Sequence, residues 1–339
     1  MKCAVIFGGT GFIGTYFAKY LVEHDSFSKV YLYDLESIEK KKYPFRQKLV
    51  YECPLITEVI GDVREPITWQ PEEEVSLIAN FAAVHREPGH KDFEYYATNI
   101  RGADNVCAWA EKVSCKSIIF TSSISPYGPS EEQKDESSLP TPQTAYGGSK
   151  LVAEKIHQIW LAGCPELRRL VIVRPGVVFG PGEGGNVSRL IKAVIGRYFF
   201  YMGNRDTRKA GTYVKELCSA IQWVLLQQEK EGRNFTLFNM SMNPGPSIQE
   251  YVEAVCSIAK IKRQVPVVPY RLLLGVAHFI DFFARPLAIK HPFSPIRIRK
   301  LVRSNNIHPG YLVKNQYPYR YNLKSAFMDW KAEAPEEWK

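Results

Sequence analysis

The stretch Gly8-Gly9-Thr10-Gly11-Phe12-Ile13-Gly14 stands between an apolar run, Cys3 to Phe7, and a segment of helical period, Ile13 to Glu23. Strand, glycine turn and helix in that order decide the fold. The glycines allow a tight turn, close approach of a pyrophosphate to the backbone and close packing of helix on strand, while the helix N-terminus presents the positive end of its dipole. A glycine-rich turn alone is equally a tight loop. Here Asp34 closes the next expected strand, Val30 to Tyr33, at the spacing of about 20 residues where a carboxylate accepts both ribose hydroxyls of a dinucleotide. An acid there, with no arginine beside it, favours NAD over NADP.

Outward from this unit, further short β-branched or apolar runs are expected strands: Glu58 to Ile60, Leu77 to Phe81, Ser117 to Thr121 and Leu170 to Arg174. Between and after them, helical period predicts Asn99 to Lys112, Tyr146 to Leu161 and Val187 to Ile195. The alternation predicts an α/β chain with a doubly wound, Rossmann-type parallel sheet that binds ligands at the carboxyl ends of its strands. Residues 1–175 are the expected NAD-binding domain. From Gly176 the spacing loosens and prolines become frequent, so 176–339 reads as a smaller mixed substrate-binding lobe, with some chain crossing back. The sequence contains no internal repeat.

Two other strand ends bear on the cofactor. Asp62, in Gly61-Asp62-Val63, is placed either to reach an adenine amino group or to cap a helix. Asn80-Phe81-Ala82-Ala83 ends the fourth strand in small residues, so the backbone at Ala82 and Ala83 can approach the diphosphate and nicotinamide ribose.

Composition narrows the class. The 339 residues are 45% hydrophobic and 23% charged, which suits a folded globular chain with one large core. The first strand begins almost at Met1, leaving no room for a cleavable signal, and the seven cysteines (Cys3, Cys53, Cys107, Cys115, Cys164, Cys218, Cys256) are scattered with no C-x-x-C spacing. Reduced packing thiols in a cytoplasm are expected, and no metal site. The formal charge of +9 has a run at Lys40, Lys41 and Lys42 and a basic C-terminal third with Arg285, Lys290, Arg297, Arg299, Lys300 and Arg303. No nucleic-acid motif accompanies these residues, which places nucleic acid last among the partners.

Tyr146-Gly147-Gly148-Ser149-Lys150 sets Tyr and Lys four residues apart on one helix face. An ammonium beside a phenol favours the phenolate, drawing the tyrosine toward use as a base. In a chain with 19 tyrosines the pattern alone is weak. Its position strengthens it: it opens the helix between the fifth and sixth strands, and Thr121-Ser122-Ser123 ends the strand before it, supplying a hydroxyl that can orient a reacting oxygen. The plainer alternative is a surface helix and a serine-rich turn.

Taken together, these motifs resemble the extended short-chain dehydrogenases/reductases, a family that includes UDP-galactose 4-epimerase. The resemblance also rests on Tyr96 to Gly102, Phe120 to Gly128, and Arg174-Pro175-Gly176-Val177-Val178-Phe179-Gly180-Pro181-Gly182. It implies that Ser123, Tyr146 and Lys150 are catalytic and that Gly8, Gly11, Phe12, Ile13, Gly14, Asp34, Asp62, Val63, Asn99 and Lys150 hold NAD. Ala82, Ala83, Tyr146 and Pro175 complete the expected cofactor contacts. Gly185-Asn186-Val187 and Lys209 to Val214 are similar to the region that clamps a sugar-bearing diphosphate, with Lys209 standing where many relatives have arginine. An N-cap for Asn186 and a solvated side chain for Lys209 are the structural alternatives. His85, Ser123, Asn186, Val187 and Lys209 are thus the expected substrate residues. Pro126 departs from the usual apolar residue before Tyr127-Gly128.

The resemblance further implies a 4-epimerase of a diphosphate-linked N-acetylhexosamine, on a polyprenyl or UDP carrier, in surface polysaccharide biosynthesis. A reductase of a 4-keto-6-deoxy sugar nucleotide, or of another ketone such as a sterol, is the alternative. A catalytically silent NAD-binding regulator is a third reading, opposed by the intact Ser, Tyr and Lys. Pro269 to Ile289 carries Leu272, Val276, Phe279 and Phe283 at helical spacing, interrupted by His278, Asp281 and Arg285. It is too short to span a bilayer and reads either as a helix covering the substrate cleft or as an amphipathic contact with an anionic membrane. A cytoplasmic homodimer completes the expectation, peripheral at the inner face of the cell membrane under the membrane-contact reading.

Overall fold

The computed structural model describes residues 2–24, 27–86, 89–284 and 302–339, the side chains of 281–284 excepted. Arg285, Ile289, Lys290, Arg297, Arg299 and Lys300 lie outside the described residues, as do the side chains of Asp281 and Phe283.

Seven parallel strands form the central sheet: β1 (Lys2–Phe7), β2 (Lys29–Asp34), β3 (Ile56–Ile60), β4 (Glu74–Asn80), β5 (Ser117–Thr121), β7 (Arg169–Pro175) and β11 (Phe235–Met240), in the order β11-β7-β5-β4-β1-β2-β3. Four short strands pair in the second half, β8 (Val177–Phe179) with β10 (Gly211–Tyr213) and β9 (Tyr201–Met202) with β12 (Val267–Val268). β6 (Ser130–Lys134) pairs with β13 (Asn305–Ile307). Labelled helices are α1 (Phe12–His24), α2 (Pro44–Tyr51), α3 (Asp92–Lys112), α4 (Ala145–Ala162), α5 (Asn186–Ile195), α6 (Val214–Glu231), α7 (Ile248–Ala259) and α8 (Tyr270–Ala284).

Alternation of side chains along the strands builds the core in two layers. Ala4 and Ile6 of β1 face α1, α2 and α6, meeting Phe17, Leu21, Leu49, Leu217 and Ile221. Cys3, Val5 and Phe7 face α3 and α4, meeting Val106, Trp109, Ala153 and Trp160. The chain winds outward in both directions from the β1–β4 pair, and at that point the strand order reverses and opens a crevice at the carboxyl ends.

All six expected main strands are present. The third begins two residues earlier than expected, at Ile56, and the fourth spans Glu74–Asn80 rather than Leu77 to Phe81. The expected helix Asn99 to Lys112 begins at Asp92, because Glu94 accepts from the Lys91 backbone N–H at 2.6 Å and caps a polar first turn that has little apolar period. The seventh strand, β11, was not among those expected. Its residues Phe235-Thr236-Leu237-Phe238-Asn239-Met240 pair in register with Leu170 to Pro175. With α6 packed against α1, the segment 214–240 belongs to the large sheet rather than to the smaller lobe. That lobe has its own core, built on Phe179, Val194, Tyr251, Val255, Phe327 and Trp330. All seven cysteines are free.

Candidate active site

The turn after β1 is a cradle shaped by steric necessity. Gly8 has φ +73°, and a Cβ there would stand 2.7 Å from Ala82 N, so the end of β4 closes directly on the turn. A Cβ on Gly14 would meet the carbonyl oxygens of Gly8 and Gly9 at 2.6 Å. Among the described residues the amides of Phe12 and Ile13, at the start of α1, have no protein acceptor. Free amides on a glycine turn at a helix N-terminus fit the diphosphate of a dinucleotide.

Asp34 closes β2 beside this turn. Its Oδ2 accepts from Thr10 N at 3.1 Å and from Thr10 Oγ1 at 2.7 Å, while Oδ1 accepts from Leu35 N at 2.8 Å. Thr10 therefore orients the carboxylate expected to read the ribose, a role its place within the glycine run gave no sign of. Asp62 takes a bidentate contact from Arg64, with Nε at 3.0 and 2.8 Å and Nη2 at 2.6 Å, and these hydrogen bonds hold its carboxyl below the usual range. No helix begins at Asp62, which removes the capping alternative. Val63 is buried against Gly102, and its carbonyl accepts from Asn105 at 2.8 Å.

Asn99 is buried on α3. Its amide exchanges hydrogen bonds with the Val84 backbone at 2.9 and 3.2 Å and donates to Ser149 Oγ at 2.9 Å. It thereby ties the loop carrying Ala82, Ala83 and His85 to the helix carrying Tyr146. His85 stays exposed on this loop, yet desolvation by its surroundings lowers its pKa.

Thr144 caps α4, accepting from Gly147 N at 3.1 Å. Gly147 is small because a Cβ there would lie 2.7 Å from Ser125 O, so α4 rests on the turn that follows Ser123. Ser123 is buried, and its Oγ donates to Ser125 Oγ and accepts from Ser125 N, each at 3.1 Å. Pro126 is buried within a short turn of 3-10 helix, Ser125–Tyr127, and keeps the loop tight. Tyr146 is half-buried, its ring 6.0 Å from that of Tyr95.

One turn on, Lys150 is 2% exposed, its Nζ lying 4.5 Å over the Phe120 ring. Burial lowers its pKa to about 7, opposed by the charge of Glu154 one turn further along the same face. Because the unfolded chain binds this proton more tightly, stability rises with pH from about 7 toward the ordinary lysine value of 10.5. The slope from this one group is at most about 1.4 kcal/mol per pH unit. Lys150→Met should remove that rise, read as the difference between the two proteins' denaturation midpoints across this range. Parallel pH dependences of the two would contradict it.

Behind the site, Glu154 accepts from Ser122 Oγ at 2.5 Å and from Arg174 Nε and Nη2 at 2.8 and 2.6 Å. Arg174 lies 4.7 Å over the ring of Tyr127, whose hydroxyl donates to Asn239 at 2.9 Å. This buried chain, joining β5, α4, β7 and β11, was not foreseen; the position of Glu154 four residues after Lys150 was its one sign in the sequence.

The expected substrate residues are spread along the smaller lobe. Asn186 is the first residue of α5, with Oδ1 accepting from Arg189 at 2.6 Å, so it is not the N-cap. Glu183 takes the capping part, accepting from Ser188 N at 2.8 Å. Val187 is buried in the core of the lobe. Lys209 is half-buried rather than solvated: its Nζ donates to Arg303 O, and burial lowers its pKa to about 8 against the opposing charge of Glu131. Pro175 ends β7, and its carbonyl accepts from Ile124 N at 3.2 Å, next to Ser123. Among the described residues no group of His, Cys, Asp and Glu could hold a metal ion.

The model of the NAD dependent epimerase/dehydratase family matches residues 4–240. The chain is 28% identical over 297 residues to the N-acetyl-alpha-D-glucosaminyl-diphospho-ditrans,octacis-undecaprenol 4-epimerase of Escherichia coli, covering 87% of this chain and 84% of that one. It is 22% identical over 326 residues to the decarboxylating sterol-4-alpha-carboxylate 3-dehydrogenase of Candida albicans, covering 91% and 90%. Among solved structures it resembles the UDP-glucuronic acid 4-epimerase of Bacillus cereus in complex with UDP-glucuronic acid and NAD, with TM-score 0.73, 16% identity and 99% of each chain covered.

Proposed function

Because the chain belongs to the NAD dependent epimerase/dehydratase family, we propose that it is a C4 epimerase of a diphosphate-linked N-acetylhexosamine, with polyprenyl diphosphate as the carrier. The observation that carries this reading is the buried Lys150, one turn after Tyr146 on a helix resting on the Ser123 turn, at the carboxyl end of the sheet beside the glycine cradle. Similarity to the undecaprenol-linked epimerase, over most of both chains, supports the choice of carrier.

NAD, when bound, supplies a nicotinamide that accepts a hydride and gives it back. Tyr146 removes the C4 hydroxyl proton as the sugar passes to a 4-ketose and returns it on reduction from the other face. Protonated Lys150 stabilises the phenolate, and Ser123 Oγ holds the reacting oxygen. Buried between Phe120 and Glu154, Lys150 is kept from bulk water, which strengthens its electrostatic hold on Tyr146. Lys209 is the cation for the substrate diphosphate, acting as a point charge rather than a fork. A place in surface polysaccharide biosynthesis follows from that substrate.

A lipid-linked substrate would bring the protein to a membrane, and α8 suits such a contact. Leu272, Val276 and Phe279 are 58%, 47% and 67% exposed on one face, while Leu273 and Ala277 are buried on the other. No helix among the described residues is long and apolar enough to cross a membrane. Sequence positions 282–328 contain no Asp or Glu, and their cations include Lys290, Arg297, Arg299, Lys300 and Arg303, so the apolar face is followed by a stretch suited to anionic lipid. In a homodimer, α3 and α4 are the faces to pair, since Val152 and Ile159 of α4 are exposed.

The test offers UDP-N-acetylglucosamine and polyprenyl-diphospho-N-acetylglucosamine in parallel, with NAD, and separates gluco from galacto products. Conversion of the lipid-linked sugar alone is expected, as is loss of co-sedimentation with anionic vesicles in a Leu272→Glu, Phe279→Glu variant. Conversion of the UDP-sugar alone removes the membrane reading. The sterol dehydrogenase similarity gives the second reading, a ketone oxidoreductase, and stoichiometric rather than catalytic use of NAD would favour it.

A further inference from the structure

Arg46 lies on α2 with 6% of its surface exposed. Among the described residues no acceptor and no carboxylate pairs with its guanidinium, and its Nε is sealed from solvent. The guanidinium lies 3.9 Å over the Tyr43 ring, and a Cβ on Gly182 would come within 3.1 Å of its Cγ. A buried cation touched only by an aromatic face is an unbalanced arrangement, because desolvation of the charge is not offset by any anion in contact with it. Burial accordingly lowers the pKa of Arg46 to about 10. Arg46 is therefore suited to an anionic ligand.

The surroundings say where it would sit. Phe45, the neighbour of Arg46, stacks on Tyr16 of α1 at 6.2 Å, and Tyr16 meets Phe12, the first residue of α1, edge-on at 5.4 Å. The first turn of α2 is therefore carried against the first turns of α1, where the amides of Phe12 and Ile13 await an acceptor. Two charged residues contribute to the field at Arg46: Asp34 at the end of β2 and Arg86 beyond the end of β4. Those strands flank β1 on either side, so the groups that act on Arg46 border the crevice above the glycine turn. Asp34 disfavours a phosphate on the adenosine ribose, which leaves the diphosphate at the helix N-terminus as the anion within this arrangement.

We propose that Arg46 is the counter-ion of the dinucleotide's diphosphate, closing on it from α2 opposite the α1 N-terminus, with Arg86 as the second cation. Its planar fork would donate to the phosphate oxygens, and Tyr43 would hold the fork flat. The proposal rests on the NAD-binding reading of the glycine cradle.

Calorimetric titration of the full-length, nucleotide-free chain with NAD, NADP, ADP-ribose, UDP and adenosine tests it, on wild type, R46M and R46K. R46M should bind NAD and ADP-ribose roughly ten- to hundred-fold more weakly, with adenosine and UDP unchanged and R46K between. The ligand-free midpoint of R46M should equal or exceed that of wild type, since an unpaired buried charge has been removed. A merely structural arginine gives the reverse, a lowered ligand-free midpoint with unchanged nucleotide affinity, and overturns the proposal. Loss confined to NADP, or to UDP, overturns it in favour of a different phosphate. Wild type binding NAD while R46M binds it equally sinks this inference alone; wild type that binds no NAD sinks the cofactor reading and this inference together.

Discussion

Tyr146→Phe should lower kcat by roughly 10²- to 10⁴-fold, the usual contribution of a positioned general acid–base group, while leaving the affinity for NAD near that of wild type. The phenol is needed because the C4 hydroxyl of a sugar is a poor acid. Its proton must be taken up in the same step that oxidises the carbon, and the base must have a pKa near the working pH. A free tyrosine is too weakly acidic, and the nearby cation corrects this. Lys150, desolvated over Phe120, gains most by keeping its proton when a phenolate stands one turn away. Removing the hydroxyl leaves the ring, its contact with Tyr95 and the fold of α4 in place. The measurement is single-turnover epimerisation beside calorimetric NAD binding. A variant that keeps more than about a tenth of wild-type kcat would assign the proton transfer to another group.

Glu154→Ala should destabilise the protein by about 3–5 kcal/mol, the loss typical of leaving one member of a buried ion pair alone. Glu154 and Arg174 are 1% and 4% exposed in their side chains, so neither can recover water without unfolding its surroundings. Arg174 would be left with the Tyr127 ring, and Ser122 would lose its acceptor. Replacing both partners by methionine should restore most of the loss, since it is the unpaired charge rather than the absent bond that destabilises. Denaturant midpoints of Glu154→Met, Arg174→Met and the double methionine variant form the cycle. Additive losses in the double variant would mean that the pair does not act as a unit. The exchange also bears on catalysis, because Glu154 opposes the fall in the Lys150 pKa. Glu154→Gln should therefore move the loss of the Lys150 proton to lower pH, visible in the pH profile of kcat.

The sequence alone determined the local events that short-range physics dictates. A glycine with positive φ between strand and helix, an acid at the end of the next strand, and Tyr and Lys one helical turn apart are all properties of spacing, and each is where spacing predicted it. The alternation of apolar runs with helical period announced the parallel sheet for the same reason. Tertiary structure alone decided which distant segments meet. β11 reads as an ordinary apolar stretch, and only the register it finds against β7 makes it part of the large sheet. Thr10 on Asp34, Arg64 on Asp62, and Ser122 with Arg174 on Glu154 depend on side chains converging from separate elements. Arg46 is the clearest case: in the sequence it is one cation in a basic loop and helix, and only when α2 folds against α1 and the Gly182 turn does it become buried without an anion. Desolvation is a property of the whole fold, because it depends on how much chain surrounds a group, and spacing along one chain does not encode it.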